Sequence, residues 1–413
     1  SNDRRKHLRH QARSRANQRE QKTKRCQVNR FDAMIHTAAR AALRRQQTDG
    51  SMPAGHNGLY GDPETPARNT AHWIVTFSYC LTQLGDTTFS SPLERALEYL
   101  TKNSLRPKNA TFICRTNPNK DQSNGLIGQA WIIEGLVVGG RAINHQKSLM
   151  LARTLIDLHP FEPRMKCWRI VHPDGSYANI DRTFNHQLWF AACASLLTDH
   201  RSARHEVRKF LDNLSDKRMF AILPSGRIVH ALNPFPHPEL IIDFSRRGIN
   251  SIVNTAIPPS PTTGGAGSDH SKRVKSKTFL RAVGYQAFNL YAFAILRDQF
   301  PEHAFWNSLR LRQAVRYIES NEFTAALDRN PFGLPYNPIG FEAPYIAEHF
   351  PHWLRKPKKL VYSLLEQQLE QHWDPEQAML SKNTHDSETL TARIYELTRC
   401  VPRQIATTSR VMN

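Results

Sequence analysis

The chain has 413 residues, 39% of them apolar and including 7 Trp, 11 Tyr and 20 Phe, enough to bury a large core. Its six cysteines (Cys26, Cys80, Cys114, Cys167, Cys193, Cys400) are scattered, which excludes a disulfide framework and a zinc pattern. The formal net charge of +20 asks for an anionic partner: nucleic acid, a membrane surface or an acidic polymer.

Residues 1–30 carry eleven Lys/Arg against Asp3 and Glu20, with no apolar periodicity, and read as a basic arm, either solvated chain or an exposed helix. Residues 31–413 then read as one domain. A helix over 31–47 has an apolar stripe at Ile35, Ala38, Ala39, Ala42 and Leu43. A Gly/Pro-rich loop holding His56, Asn57, Tyr60, Asp62 and Glu64 leads into ARNTAHWIVTFSYCLTQLG, apolar on most faces. SSPLERALEYLTKN follows, with a capping box at Ser91–Glu94 and a single stripe. The pattern recurs as GLIGQAWIIEGLVVGG then QKSLMLARTLIDLH, and as FNHQLWFAACASLL then RHEVRKFLDNL. Asp62, Asp121 and Asp181, which precede these buried helices, stand 59 and 60 residues apart. Residues 279–300 with SLRLRQAVRYIES, and 336–350 with KKLVYSLLEQQLEQH, continue the series. LTARIYELTRC (390–400) lacks a following partner and 31–47 a preceding one, so the two can close a ring.

Two stretches break the helical period. Residues 168–180 and 219–232 each place a turn (Asp174-Gly175, Ser225-Gly226) between β-prone runs and read as small hairpins. Residues 257–277 are Pro/Gly/Ser-rich and then basic, and read as a mobile lid or an ordered crossing loop, of which the lid is preferred. A helix that is apolar all round must be surrounded by other helices, whereas one with a single stripe lies outside. A period near 60 built from one of each predicts an all-α, (α/α)6-type toroid with small β-hairpin insertions.

Such a ring leaves a funnel where the inner helices begin. Residues near those starts converge on it: His72, Asp121, Asn124, Asp181, Asn185, His186, Arg281, Tyr285, Asn337 and Glu342. Trp131, Trp189, Tyr336 and Tyr345 are placed to stack on sugar faces. Blander roles compete. The aspartates suit helix caps, His72 suits the core, and Glu134 reads as a buried acid paired with an arginine. An adjacent Asn185-His186 at the mouth of a helix as apolar as FNHQLWFAACASLL is harder to explain by packing.

At these residues the sequence resembles the (α/α)-toroid carbohydrate-active enzymes, particularly polysaccharide lyases of the alginate-lyase and glucuronan-lyase kind. Those lyases carry an adjacent Asn-His at the start of one inner helix and an Arg-x-x-x-Tyr on a later one. Here these are Asn185-His186 and Arg281–Tyr285. The resemblance implies β-elimination on a uronate-containing polysaccharide or oligosaccharide. Asn185 would bond the carboxylate, His186 would take the C5 proton, Tyr285 would protonate the departing O4, and Arg281 would hold nearby negative charge. Asp181-x-x-x-Asn185 also looks like the catalytic helix of unsaturated glucuronyl hydrolases, which would make Asp181 an acid/base acting with Asp121 or Glu342. A third reading is an anionic-polymer binding protein without catalysis. Nucleic acid fits poorly, because polar helix mouths are not needed for it. No run reaches the ~18 apolar residues of a membrane span. With no metal or nucleotide motif present, no metal and no cofactor are expected.

Overall fold

The computed structural model describes residues 30–215, 221–232 and 277–400. The basic arm except Arg30, and the expected lid except Lys277, lie outside them.

Helix α1 covers residues 30–43. It is followed by α2 (Ala67–Thr82), α3 (Ser90–Leu100), α4 (Gly125–Ala142), α5 (Gln146–Leu158), α6 (Phe184–Ala194) and α7 (Arg201–Ser215). After the gap come α8 (Lys277–Gly284), α9 (Gln286–Gln299), α10 (Leu309–Tyr317), α11 (Asn321–Leu327), α12 (Ile339–His349), α13 (Pro357–His372) and α14 (Ser387–Ala392). A 3-10 segment, Arg393–Arg399, continues from α14. Helix α2 packs on α4, α4 on α6, α6 on α9, α9 on α12, and α12 on Arg393–Arg399, which returns to α2. The inner ring is closed. The outer helices α3, α5, α7, α10 and α13 each lie against the inner helix that precedes them. The turn that ends α1 meets α14 through the Arg45–Glu388 ion pair, and the start of α1 meets α13 through Arg30–Glu366. This is the toroid that the alternation of buried and one-sided helices predicts.

Inner helices pack this closely because their facing surfaces are small. A Cβ on Gly135 of α4 would sit 2.8 Å from the Cα of Ala71 in α2, so only glycine lets these two backbones meet. A repeated amide then ties three of the inner helices to the chain around their mouths. Gln129 of α4 accepts from Phe112 N at 2.9 Å and donates to Ser123 O at 3.0 Å. Gln187 of α6 does the same with Trp168 N at 2.9 Å and Asp181 O at 2.9 Å. Gln286 of α9 binds Ile228 N at 2.9 Å and Gly226 O at 2.9 Å. All three side chains are buried, so their polar atoms are obliged to find such partners.

The first expected hairpin is present: β2 (Cys167–Val171) pairs antiparallel with β3 (Tyr177–Ile180), and β1 (Phe161–Glu162) adds to its other edge. A small second pair joins β4 (Trp373–Asp374) to β5 (Met379–Leu380). The described part of the second expected hairpin, 221–232, forms bridges rather than strands, Ile222 to Ile228 and Ala231 to Thr183. The latter lays it across the mouth of α6.

Two local expectations need correction. The Ser91–Glu94 capping box does not form. The chain enters α3 directly from a 3-10 turn, Thr87–Phe89, capped by Asp86, and Ser91 Oγ instead accepts from Arg95 at 2.9 Å. The inner helix expected over 279–300 is divided at Tyr285. The amide of Asn337 donates to Gly284 O at 3.0 Å and that of Asn330 to Leu280 O at 2.9 Å. Side-chain donors thus occupy carbonyls that a continuous helix would use internally.

Candidate active site

The mouth of the ring opens into a cavity of about 320 Å³. On one side stand Thr183, Asn185 and His186 of the α6 entrance, with Asn124, Ile127 and Trp131 of α4. Opposite them are Arg281, Tyr285 and Phe288 of α8 and α9, with Tyr336 and Asn337 before α12. The 57–68 loop and α2 start supply Asn57, Tyr60, Asp62 and Arg68. Arg115, Lys120, His230 and Arg393 complete the lining.

Asp181 and His186 form a dyad at the centre of this arrangement. Asp181 Oδ2 receives His186 Nδ1 at 2.8 Å and Leu126 N at 3.0 Å, and its Oδ1 receives Thr183 N at 3.0 Å. Burial alone would raise this carboxyl, but the His186 ring and the two amides outweigh it and bring it down to about 2. An ionised carboxylate only accepts, so Nδ1 must carry a proton, and whenever the ring gives up its second proton the lone pair is on Nε2. The expected cap role of Asp181 is real, but the helix it caps is α4, one place round the ring.

Gly125 makes the dyad possible. Its φ is +57°, and a Cβ there would lie 2.4 Å from Asp181 Oδ2 and 2.9 Å from His186 Nδ1. Gly125→Ala is therefore expected to cost about 1–3 kcal/mol of stability. It should also pull Asp181 and His186 apart, seen as a lowered melting temperature together with lost turnover.

Around the dyad, several buried polar atoms take no partner from the described residues. Asn185 Oδ1, Arg281 Nε and His230 Nδ1 are all in this state. Burial, followed by the charges of His186 and Arg281, pushes the His230 ring down to about 3, so it is neutral at ordinary pH. Tyr285 lies beside it, ring centres 5.2 Å apart, and is in hydrogen-bond contact with Tyr336 and Tyr60. Burial, reinforced by those two neighbours, holds the Tyr285 hydroxyl well above its ordinary range, so it keeps its proton. Tyr336 passes its own hydrogen bond to Asn57 Oδ1 at 2.9 Å.

The cavity thus gathers Asn185, His186, Arg281, Tyr285, Asn124, Trp131, Tyr336 and Asn337, with Asp181 directly behind His186. Five other expected contacts lie elsewhere. His72 is buried beneath the cavity, stacked on Tyr395 at 4.6 Å. Trp189 is buried in the second turn of α6 against Phe288, also at 4.6 Å. Tyr345, in the second turn of α12, turns outward and donates to Asp298 Oδ2 at 2.6 Å. Glu342 points inward below the floor and receives Arg393 Nη2 at 2.6 Å. Asp121 folds its own turn, accepting from Ser123 N at 3.0 Å and Gly125 N at 2.7 Å. Glu134 meets the expectation of a buried acid with an arginine partner, Arg399 Nη2, at 2.5 Å.

Sequence reading missed His230, Arg68, Arg115, Lys120 and Arg393 as lining residues. His230 carried a signal, since it stands in the second stretch that broke the helical period. Arg393 carried another, as a charge inside the apolar run of the last inner element. Among the described residues no cluster of three His, Cys, Asp or Glu is arranged to hold a metal, and no helix is long and apolar enough to cross a membrane.

No protein-family model matches the chain. Among solved structures, a cellobiose 2-epimerase from Bacillus thermoamylovorans superposes with a TM-score of 0.58 at 12% identity, covering 90% of this chain and 98% of its own. A D-mannose isomerase gives 0.59 at 11% identity, covering 89% and 97%. An unsaturated glucuronyl hydrolase specific for heparin gives 0.55 at 10% identity, covering 90% and 96%. At such identities the likeness speaks for the fold alone, a toroid that carbohydrate-active enzymes use. In sequence, the archaeal glycosylation protein Q of Haloferax volcanii is 37% identical over 374 residues, which span 89% of this chain and 96% of that protein. An identity of that level along nearly the whole length of both places this chain in the family of archaeal glycosylation protein Q.

Proposed function

We propose that the chain is an enzyme that removes the proton beside the carboxylate of a uronate sugar in an acidic glycan, and that β-elimination of the O4 substituent follows. The observation that carries this reading is Arg281, whose buried Nε has no partner among the described residues, facing an oriented His186 and the Asn185 amide, with its Nδ2 donors, across the cavity. A hydrogen next to a carboxylate is too weakly acidic to remove until the developing enolate is stabilised. Arg281 and the Asn185 amide supply that stabilisation. His186 Nε2 takes the proton, and Asp181 stabilises the imidazolium that forms. Tyr285 keeps its proton at working pH and gives it to the departing O4. Arg68, Lys120 and Arg393 are each paired with a carboxylate, whereas Arg281 has none within ion-pair distance among the described residues and leaves its charge for an acidic sugar.

Glycoside hydrolysis is less well supported. It needs one protonated and one ionised carboxyl flanking the bond. Asp181 is held ionised behind His186, and Asp62 is tied to Lys120.

A second reading keeps the same first step and returns the proton to carbon from the other face, which is epimerisation. His230, a second neutral imidazole on the cavity wall, favours it. So does the part that the relative's name gives it in glycosylation, since epimerisation leaves the glycan whole. Incubating uronate oligosaccharides with the protein in heavy water separates the readings. Elimination gives a new ultraviolet-absorbing C4–C5 double bond. Epimerisation gives deuterium at C5 without that absorbance. If neither appears across a panel of uronate sugars, the proposal fails.

A further inference from the structure

We propose that the cavity holds a second anion-binding position at Arg115 and Lys120, so that the substrate carries, besides the reacting uronate carboxylate, a phosphate ester or a second carboxylate. This rests on the uronate reading above.

The placement comes from the ring. Arg281 reaches the cavity from α8, joined to α9, the fourth inner element, and Arg115 from the segment between the first and second, α2 and α4. The two guanidiniums therefore approach from opposite sides. Neither has a carboxylate within ion-pair distance among the described residues, and each has a buried Nε without a partner. The backbone of Arg115 is fixed from both sides: Arg115 N donates to Gln122 O at 3.0 Å, and Thr116 N to Pro63 O at 3.0 Å. The local charges do not cancel. Glu64 gives both oxygens to Arg68 Nη1, at 3.1 and 3.2 Å, and forms no ion pair with Arg115 among the described residues. Lys120 is bonded to the buried Asp62, but an ammonium has three donors and this one is 43% exposed at the cavity edge. The wall thus keeps one positive charge in surplus with donors to spare. A planar guanidinium of this kind suits the paired oxygens of a carboxylate or phosphate.

Calorimetric titration of the full chain with four ligands tests this: glucuronate, a disaccharide of two glucuronates, glucuronate 1-phosphate and glucose 1-phosphate. At least one of the two doubly acidic ligands is expected to bind about tenfold or more tighter than glucuronate. Arg115→Gln should erase that gain and leave glucuronate within about twofold, with Arg115→Lys retaining part of it. A gain for the disaccharide alone identifies a neighbouring uronate, and a gain for the phosphate alone identifies a phosphate ester. Equal weakening of every ligand by Arg115→Gln, or no gain for either doubly acidic ligand, overturns the proposal. If glucose 1-phosphate binds in an Arg115-dependent way while glucuronate does not bind, the second position stands and the uronate reading fails instead.

Discussion

His186→Ala is expected to lower turnover on the order of 10³-fold while leaving substrate affinity nearly unchanged, because the imidazole moves a proton and Asn185 and Arg281 hold the sugar. Asp181→Asn should also be severe, though by a different route. It leaves a polar group beside Nδ1 but removes the charge that stabilises the imidazolium and fixes which nitrogen faces the cavity. Steady-state kinetics on both variants, with binding measured separately, decide between chemistries. If Asp181→Asn abolishes activity and His186→Ala spares it, the aspartate is the acid/base and hydrolysis replaces proton abstraction. A large rise in KM for His186→Ala at unchanged kcat would make His186 a binding residue only.

Arg393→Leu is expected to produce the largest loss of stability, about 3–5 kcal/mol, by stranding two carboxylates in the core. Arg393 donates to Glu396 Oε1 through Nε at 2.9 Å and Nη2 at 2.7 Å, to Glu342 Oε1 at 2.6 Å and to Asn337 Oδ1 at 2.6 Å. Even with this guanidinium present, burial raises both acids, Glu396 to about 7 and Glu342 well above the carboxylate range. The sign follows from those directions. A carboxyl whose folded value lies above its unfolded one favours the fold at low pH and loses that contribution as pH rises through the folded value. Without Arg393 both values climb further. The deficit of the variant should therefore be smallest near pH 5 and grow toward pH 8, as read from melting temperatures across that range. A deficit that does not vary with pH would mean that lost packing, and not stranded charge, causes it. Because Asn337 and Tyr336 are held from the same guanidinium, the cavity wall should loosen along with the core.

The sequence alone was enough for the ring. Whether a helix is apolar on all sides or on one is a property of its own residues, and that alternation sorts inner helices from outer ones without any knowledge of contacts. It also placed Asn185 and His186, which stand in the first turn of an inner helix at the mouth; Glu342, in the first turn of α12, turns below the floor instead because Arg393 pairs with it there. Deeper residues escaped the same logic. Trp189 and Tyr345 lie in the second turn, where a helix is ringed by neighbours, and facing the axis, the next helix or the outer layer are equivalent by periodicity. Only the packing chose Phe288 for one and Asp298 for the other. Partners from distant segments were equally out of reach. Asp181 caps the helix before its own, His230 crosses the mouth of α6 on a bridged loop, and Arg115 is set against Glu64 by loop pairing. Local sequence dictates what a segment hides from water. Which charge or amide it meets across a cavity is decided by closure of the ring, which brings together residues that no short-range pattern connects.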